Sequence, residues 1–148
     1  MSALALLAAG AGAAFLALER YRKTNHGENP WTLEALTNAI VYSSHYERFL
    51  ALIDDTDGEP NSVYRSERIN TAVGGVKESR HLKALACDGK PKRLSLKAAQ
   101  DIVYAAAMRG ELGPVKRVTA EPNRGAVHVE WWAQNETARP PVKSEWNG

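Results

Sequence analysis

Two runs rich in β-branched and aromatic residues, PVKRVTAE (114–121) and GAVHVEWW (125–132), meet across the turn-forming PNRG. Such runs around a short Gly-containing turn read as a β-hairpin. With Asn123 and Arg124 as the turn residues, Pro122 faces Gly125 and Glu121 faces Ala126. Side chains alternate along a strand. Ala126, His128 and Glu130 therefore share one surface with Thr119 and Glu121, while Val127, Val129 and Trp131 turn to the core. Glu121 and His128 then stand diagonally on one surface, an arrangement that a one-residue slip would abolish.

The remainder of the 148 residues suits one domain. In TLEALTNAIVYSSHYERFLALI, Thr32 is the expected N-cap and Leu33, Leu36 and Ile40 fall at helical spacing, with a break near Ser43-Ser44 that divides the segment into two helices. DDTDGEPNS is a turn. VYRSERINTAVGGVKESRH mixes a short helical turn with a loop at Gly74-Gly75. SLKAAQDIVYAAAMRGELG predicts a helix from a Ser95 cap to a stop at Gly110. Helices first and strands later give an α+β class, with helices packed on a small antiparallel sheet. Three parts are expected: a hydrophobic N-terminal helix over 1–23, a domain over 24–132, and a polar, Pro-rich tail over 133–148 that is ordered only if something holds it.

The first eighteen residues, MSALALLAAGAGAAFLAL, carry no charge. As a helix they reach about 27 Å, just short of a bilayer core of about 30 Å. A membrane anchor, a helix buried in a larger assembly and a cleaved signal peptide are all open readings. The last lacks a charged leading region, and Arg20, Arg22 and Lys23 would keep their flank on the cytoplasmic side of a membrane. A net charge of +2 argues against nucleic acid as a partner. The one cysteine, Cys87, excludes an internal disulfide and a multi-cysteine zinc site. It reads as a small buried residue.

ESRHLKALACDG (78–89) places His81 seven positions before Asp88. Together with His128 these residues supply two imidazole nitrogens and a carboxylate oxygen. That is the donor set of a catalytic zinc, which takes three protein ligands and keeps one position open. Glu121 on the His128 surface adds what hydrolysis needs beside a metal, a base that takes a proton from water and returns one to the leaving amine. His26 and His45 have no comparable context.

Tyr64-Arg65-Ser66, Asn70, Gly74-Gly75, Ser79, His81, Ala86 and Asp88, followed by RVTAEPNRGAVHVEWW, occur in the order seen in a known family. The chain resembles the zinc D-alanyl-D-alanine peptidases, a group that includes the L-alanyl-D-glutamate endopeptidases of phage lysins and shares its fold with the hedgehog signalling domain. The resemblance covers about residues 31–132 and is tight over 63–89 and 117–131. It implies His81, Asp88 and His128 as zinc ligands and Glu121 as the general base, with Glu130 the alternative. It also implies Arg65 as the cation that steadies the substrate carbonyl or oxyanion, and Ser79 as a substrate-binding residue or a turn cap. The chain departs from the pattern at Ala84, where the family has glycine, and at Leu85, where it has arginine. The segment before Tyr64 is also short.

Two functions follow as expectations. One is a zinc peptidase that hydrolyses peptidoglycan stem peptides, as a D,D-carboxypeptidase or an L-alanyl-D-glutamate endopeptidase. It would be phage-encoded and virion-associated, or membrane-anchored, with residues 1–18 contacting virion protein or membrane. The other is an inactive structural or assembly component that keeps the fold.

Overall fold

Thr32 starts the first helix, α1 (Leu33–Leu52), by accepting the Ala35 N–H at 3.1 Å. The computed structural model describes residues 32–55 and 63–148. The hydrophobic segment 1–23, the linker after it and residues 56–62 of the DDTDGEPNS turn lie outside them.

α1 runs unbroken through Ser43-Ser44, contrary to the expected division. Ser43 returns its hydroxyl to the Ile40 carbonyl at 3.1 Å. Such a back-bond perturbs a helix without ending it. The buried stripe, Ala35, Ala39, Tyr42, Tyr46 and Phe49, continues across both serines. It also differs from the expected Leu33–Leu36–Ile40 stripe, since Leu33 is 80% exposed. Aromatic rings bury more apolar surface than these aliphatics do, so the face that carries them wins the core. Trp131 is its centre. Tyr46 and Phe49 meet it edge-on at 5.3 and 6.5 Å between ring centroids, and its indole N–H donates to the Leu112 carbonyl at 2.7 Å.

Ser66 caps the short helix α2 (Glu67–Ala72), and Ser79 caps a 3-10 turn, Arg80–Lys83. Strand β1 (Ala86–Gly89) follows, then α3 (Leu96–Met108). The Ser95 hydroxyl accepts the Ala98 N–H at 3.2 Å at the start of α3, and Gly110 ends its last turn at φ +75°. The hairpin is β2 (Val115–Glu121) and β3 (Ala126–Trp131). Its register is the expected one, Glu121 facing Ala126 and Thr119 facing His128. The connection is a 3-10 turn, Pro122–Arg124, closed by Gly125 at φ +61°, rather than a two-residue turn.

A fourth strand, β4 (Val142–Glu145), completes a sheet of order β1-β3-β2-β4. β4 lies parallel to β2, so the sheet is mixed and not wholly antiparallel. The polar C-terminal segment is held at several points. Gln100 on α3 donates to the Ser144 carbonyl at 2.6 Å, Lys143 pairs with Asp101 at 2.7 Å, and Thr119 and Ser144 share a hydroxyl hydrogen bond at 2.8 Å. Earlier in that segment Glu136 takes both terminal nitrogens of Arg80, at 2.7 and 2.8 Å. Composition alone hides such a strand, because its partners come from α3 and β2.

Val118, Val127, Val129 and Cys87 are fully buried in the core that the sheet shares with α1 and α3. Gly89 marks the closest approach of β1 to α1. A Cβ there would meet Ile53 Cδ1 at 2.7 Å and Leu50 Cδ2 at 2.9 Å.

Candidate metal centre

One row of side chains crosses the whole sheet. Asp88 on β1 faces His128 on β3, His128 faces Thr119 on β2, and Thr119 faces Ser144 on β4. Opposed residues of adjacent strands lie about 5 Å apart. This brings Asp88 Oδ1 to 2.6 Å from His128 Nδ1. His81 arrives from the 3-10 turn above the row. Its Nε2 lies 3.3 Å from Asp88 Oδ1 and 3.3 Å from His128 Nδ1.

The outer nitrogen of each imidazole is engaged. His81 Nδ1 lies 3.0 Å from the Val63 carbonyl, and His128 Nε2 lies 3.2 Å from Glu130 Oε1. A carbonyl or carboxylate at that distance accepts an N–H. The Val63 carbonyl therefore fixes the His81 tautomer that turns the Nε2 lone pair inward, while Glu130 is placed to keep the outer N–H of His128 if a metal displaces the proton on Nδ1. The inward atoms are His81 Nε2, His128 Nδ1 and Asp88 Oδ1. Two of their separations match the edge of a tetrahedron with Zn–N and Zn–O bonds of about 2.0–2.1 Å, which is about 3.3–3.4 Å. Among the described residues this is the one His/Asp group whose ligand atoms all fall within 4.8 Å of one another.

The electrostatics also call for a cation. Burial opposes ionisation of Asp88, yet His81 and His128 hold its carboxyl well below the usual range. Burial pulls the His128 imidazole down, but the Asp88 and Glu130 carboxylates outweigh it and push it up to about 10. Burial lowers His81. A site that raises one imidazole so far is one whose field favours positive charge, whether proton or metal. The donor set and two of its three separations fit zinc, and the 2.6 Å between Asp88 Oδ1 and His128 Nδ1 is a hydrogen bond that a metal would replace.

The two glutamates differ. Glu130 is occupied by His128, which draws its carboxyl down against the cost of burial. Glu121 is 6% exposed, and its Oε2 is buried without a hydrogen-bond partner among the described residues. Burial and then the Asp88 charge push its carboxyl up. Arg65 is buried beside Asp88, Nη2 to Oδ2 3.8 Å, and its Nε makes no hydrogen bond among the described residues. Burial lowers its guanidinium, against the Asp88 charge. Its backbone N–H donates to the His81 carbonyl at 3.1 Å, which ties the two segments. The Ser79 hydroxyl accepts the His81 N–H at 3.3 Å and acts as the turn cap. His45 packs against Gly113 and Tyr42, away from this cluster. Residue 26 lies outside the described residues.

The substitutions at 84 and 85 have structural readings. Ala84 has φ 53°, in the left-handed region, which explains a glycine preference by backbone conformation. Its carbonyl accepts the Tyr46 hydroxyl. Leu85 is fully buried in the core. The Val63 carbonyl escaped the sequence reading because a backbone acceptor has no residue signature. Arg124, which comes within 3.7 Å of Glu121 Oε2, was legible only as a turn residue.

A small α+β domain with a His-Asp-His cluster, a buried carboxylate that makes no hydrogen bond at Oε2 and a buried arginine defines a metallohydrolase-like class. Residues 48–120 match the model of the Peptidase M15 family, which supports the resemblance read from the sequence. The family is zinc-dependent. No curated protein and no solved structure gave a match.

Proposed function

We propose that the protein is a zinc-dependent peptidase that hydrolyses peptidoglycan stem peptides, of the D,D-carboxypeptidase or L-alanyl-D-glutamate endopeptidase type. The carrying observation is the pairing of three converging ligand atoms with a Glu121 oxygen that accepts no hydrogen bond among the described residues, on the same sheet face. Zinc held by His81, Asp88 and His128 supplies, when bound, a Lewis acid for the scissile carbonyl and a water of lowered pKa. Glu121 takes a proton at Oε2 and delivers it to the leaving nitrogen, a role that suits a carboxyl raised by burial. Glu130 keeps the His128 ring oriented. Arg65 offers its free Nε–H to the developing oxyanion or to a peptide carboxylate.

Residues 1–18 serve as the tether in this reading. Held to a virion or a membrane, they keep the domain near an insoluble wall and raise its effective concentration there. No helix among the described residues is long and apolar enough to cross a membrane. Two groups that a purely structural relative has no use for, the Glu121 oxygen and the Arg65 nitrogen, favour an enzyme.

The test is mass spectrometry of purified peptidoglycan fragments after incubation with the full chain and zinc, beside Glu121→Ala. Cleavage that falls by about 10²–10⁴-fold in the variant supports the reading, and the product masses name the bond. Intact fragments with one zinc bound per chain would leave a structural component that retains the fold.

A further inference from the structure

The C-terminal residues reach back to the turn that carries Glu121. Arg124 is the last residue of the 3-10 turn that follows Glu121, and its Nη1 lies 3.7 Å from Glu121 Oε2. That is an ion pair too long for a hydrogen bond. Its charge orients the carboxylate without occupying the lone pairs that must take a proton. The guanidinium makes no hydrogen bond among the described residues. What seats it is the face of Trp146, 4.8 Å from the ring centroid. The Trp146 backbone is itself fixed, because its main-chain N–H donates to the Ala120 carbonyl at 2.9 Å and extends the β4–β2 pairing by one residue. The Asn123 side-chain amide donates to the Asn147 carbonyl and closes the clasp on the other side of the turn.

The geometry points to Trp146 and Arg124 as positioning residues for the Glu121 carboxylate, with the C-terminal strand as the element that sets them. The inference rests on the peptidase reading for its catalytic consequence and on geometry alone for the relay itself. β4 is joined to β2, and β2 ends in Glu121. The tail therefore acts on the base through two routes: the strand that carries Glu121 and the arginine that faces it. A guanidinium without the indole would turn to solvent, and Oε2 would lose the charge that aims it.

The test uses the full chain with zinc bound and peptidoglycan fragments as substrate. Trp146→Leu keeps apolar bulk and loses the π face. It is expected to lower kcat by about 10- to 100-fold, the cost of a misplaced group, with KM within about twofold and one zinc per chain retained. Trp146→Phe restores most of the loss, and Arg124→Lys keeps more activity than Arg124→Ala. Wild-type kcat in Trp146→Leu, a loss that tracks zinc content, or a loss that Trp146→Phe does not repair would overturn the proposal. Should the wild-type chain hydrolyse nothing, the peptidase reading fails separately. Double-mutant cycles on thermal unfolding then decide the relay. Non-additive effects for Trp146→Leu with Arg124→Ala, and for Arg124→Ala with Glu121→Gln, uphold it, and additive effects overturn it.

Discussion

Asp88 and His128 lie 40 residues apart in the chain yet face each other directly across β1 and β3, with Oδ1 2.6 Å from Nδ1. The β-ladder, not a loop, sets that distance. Ligands on paired strands are held with little entropy left to lose, which is the condition for a preorganised metal site. His81 joins them from a turn whose cap, Ser79, and backbone partner, Arg65, both belong to the same constellation.

The two glutamates should separate cleanly by metal affinity. Glu130→Ala removes the acceptor that holds the His128 tautomer, and zinc affinity should fall by about 10- to 100-fold. Glu121→Ala removes no ligand and no ligand support, so its zinc content should stay at the wild-type level. Asp88→Asn should abolish stoichiometric binding. Metal analysis after dialysis against a weak chelator measures all three. Full occupancy in Asp88→Asn would remove this cluster as the metal site.

Zinc held at the candidate cluster should also stabilise the fold, because the three donors converge only in the folded arrangement. The gain grows with the logarithm of free metal over its dissociation constant, about 4 kcal/mol at a thousandfold excess. Addition of a strong chelator should therefore lower Tm, and a scan in which chelator has no effect would contradict tight binding at the buried cluster.

Gly89→Ala should destabilise by about 1–3 kcal/mol, the range for overpacking. The added methyl would sit within 3.0 Å of Ile53, Leu50 and Phe49 on neighbouring parts of the core. Because Gly89 follows Asp88, the same change should displace that candidate ligand and weaken any zinc binding at the cluster. Denaturant melts and metal titration read the two effects together.

Ala84 tells the opposite story. Its left-handed backbone costs about 1 kcal/mol or more for a residue with a Cβ, while the buried methyl contributes about 0.8 kcal/mol. Ala84→Gly should leave stability within about 1 kcal/mol of wild type. Ala106→Gly, at an equally buried position inside α3, should cost about 2 kcal/mol because helix propensity and burial are both lost. Equal losses at the two sites in urea melts would contradict this account.

Glu136 links the C-terminal segment to acid stability. The Arg80 hydrogen bond holds its carboxyl at about 2, against the usual value of 4.5. A depressed folded-state value means that the contribution is complete above about 4.5 and disappears as pH falls towards 2. Wild-type Tm should therefore lose its advantage over Glu136→Gln across that window. The advantage should persist unchanged from pH 5 to 7. A constant difference between the two proteins from pH 5 down to 2.5 would show that the pair contributes nothing.

The hairpin register, the Ser95–Gly110 limits of α3 and the Thr32 cap are local properties, set by alternation, capping chemistry and turn residues within a few positions. They were legible in order along the chain, and so were the residue types of the candidate site. The sequence by itself thus determined which side chains share a strand face and which donors are available. Only the tertiary structure decided that β1 pairs with β3 in the register that faces Asp88 to His128. It also decided that Val63 and Glu130 hold the two imidazoles, that α1 passes through its serines because the aromatic stripe continues, and that a polar tail becomes a parallel fourth strand. Each of those outcomes depends on partners distant in sequence. The free energy that selects them comes from burial and hydrogen bonding between segments, and no local pattern records it.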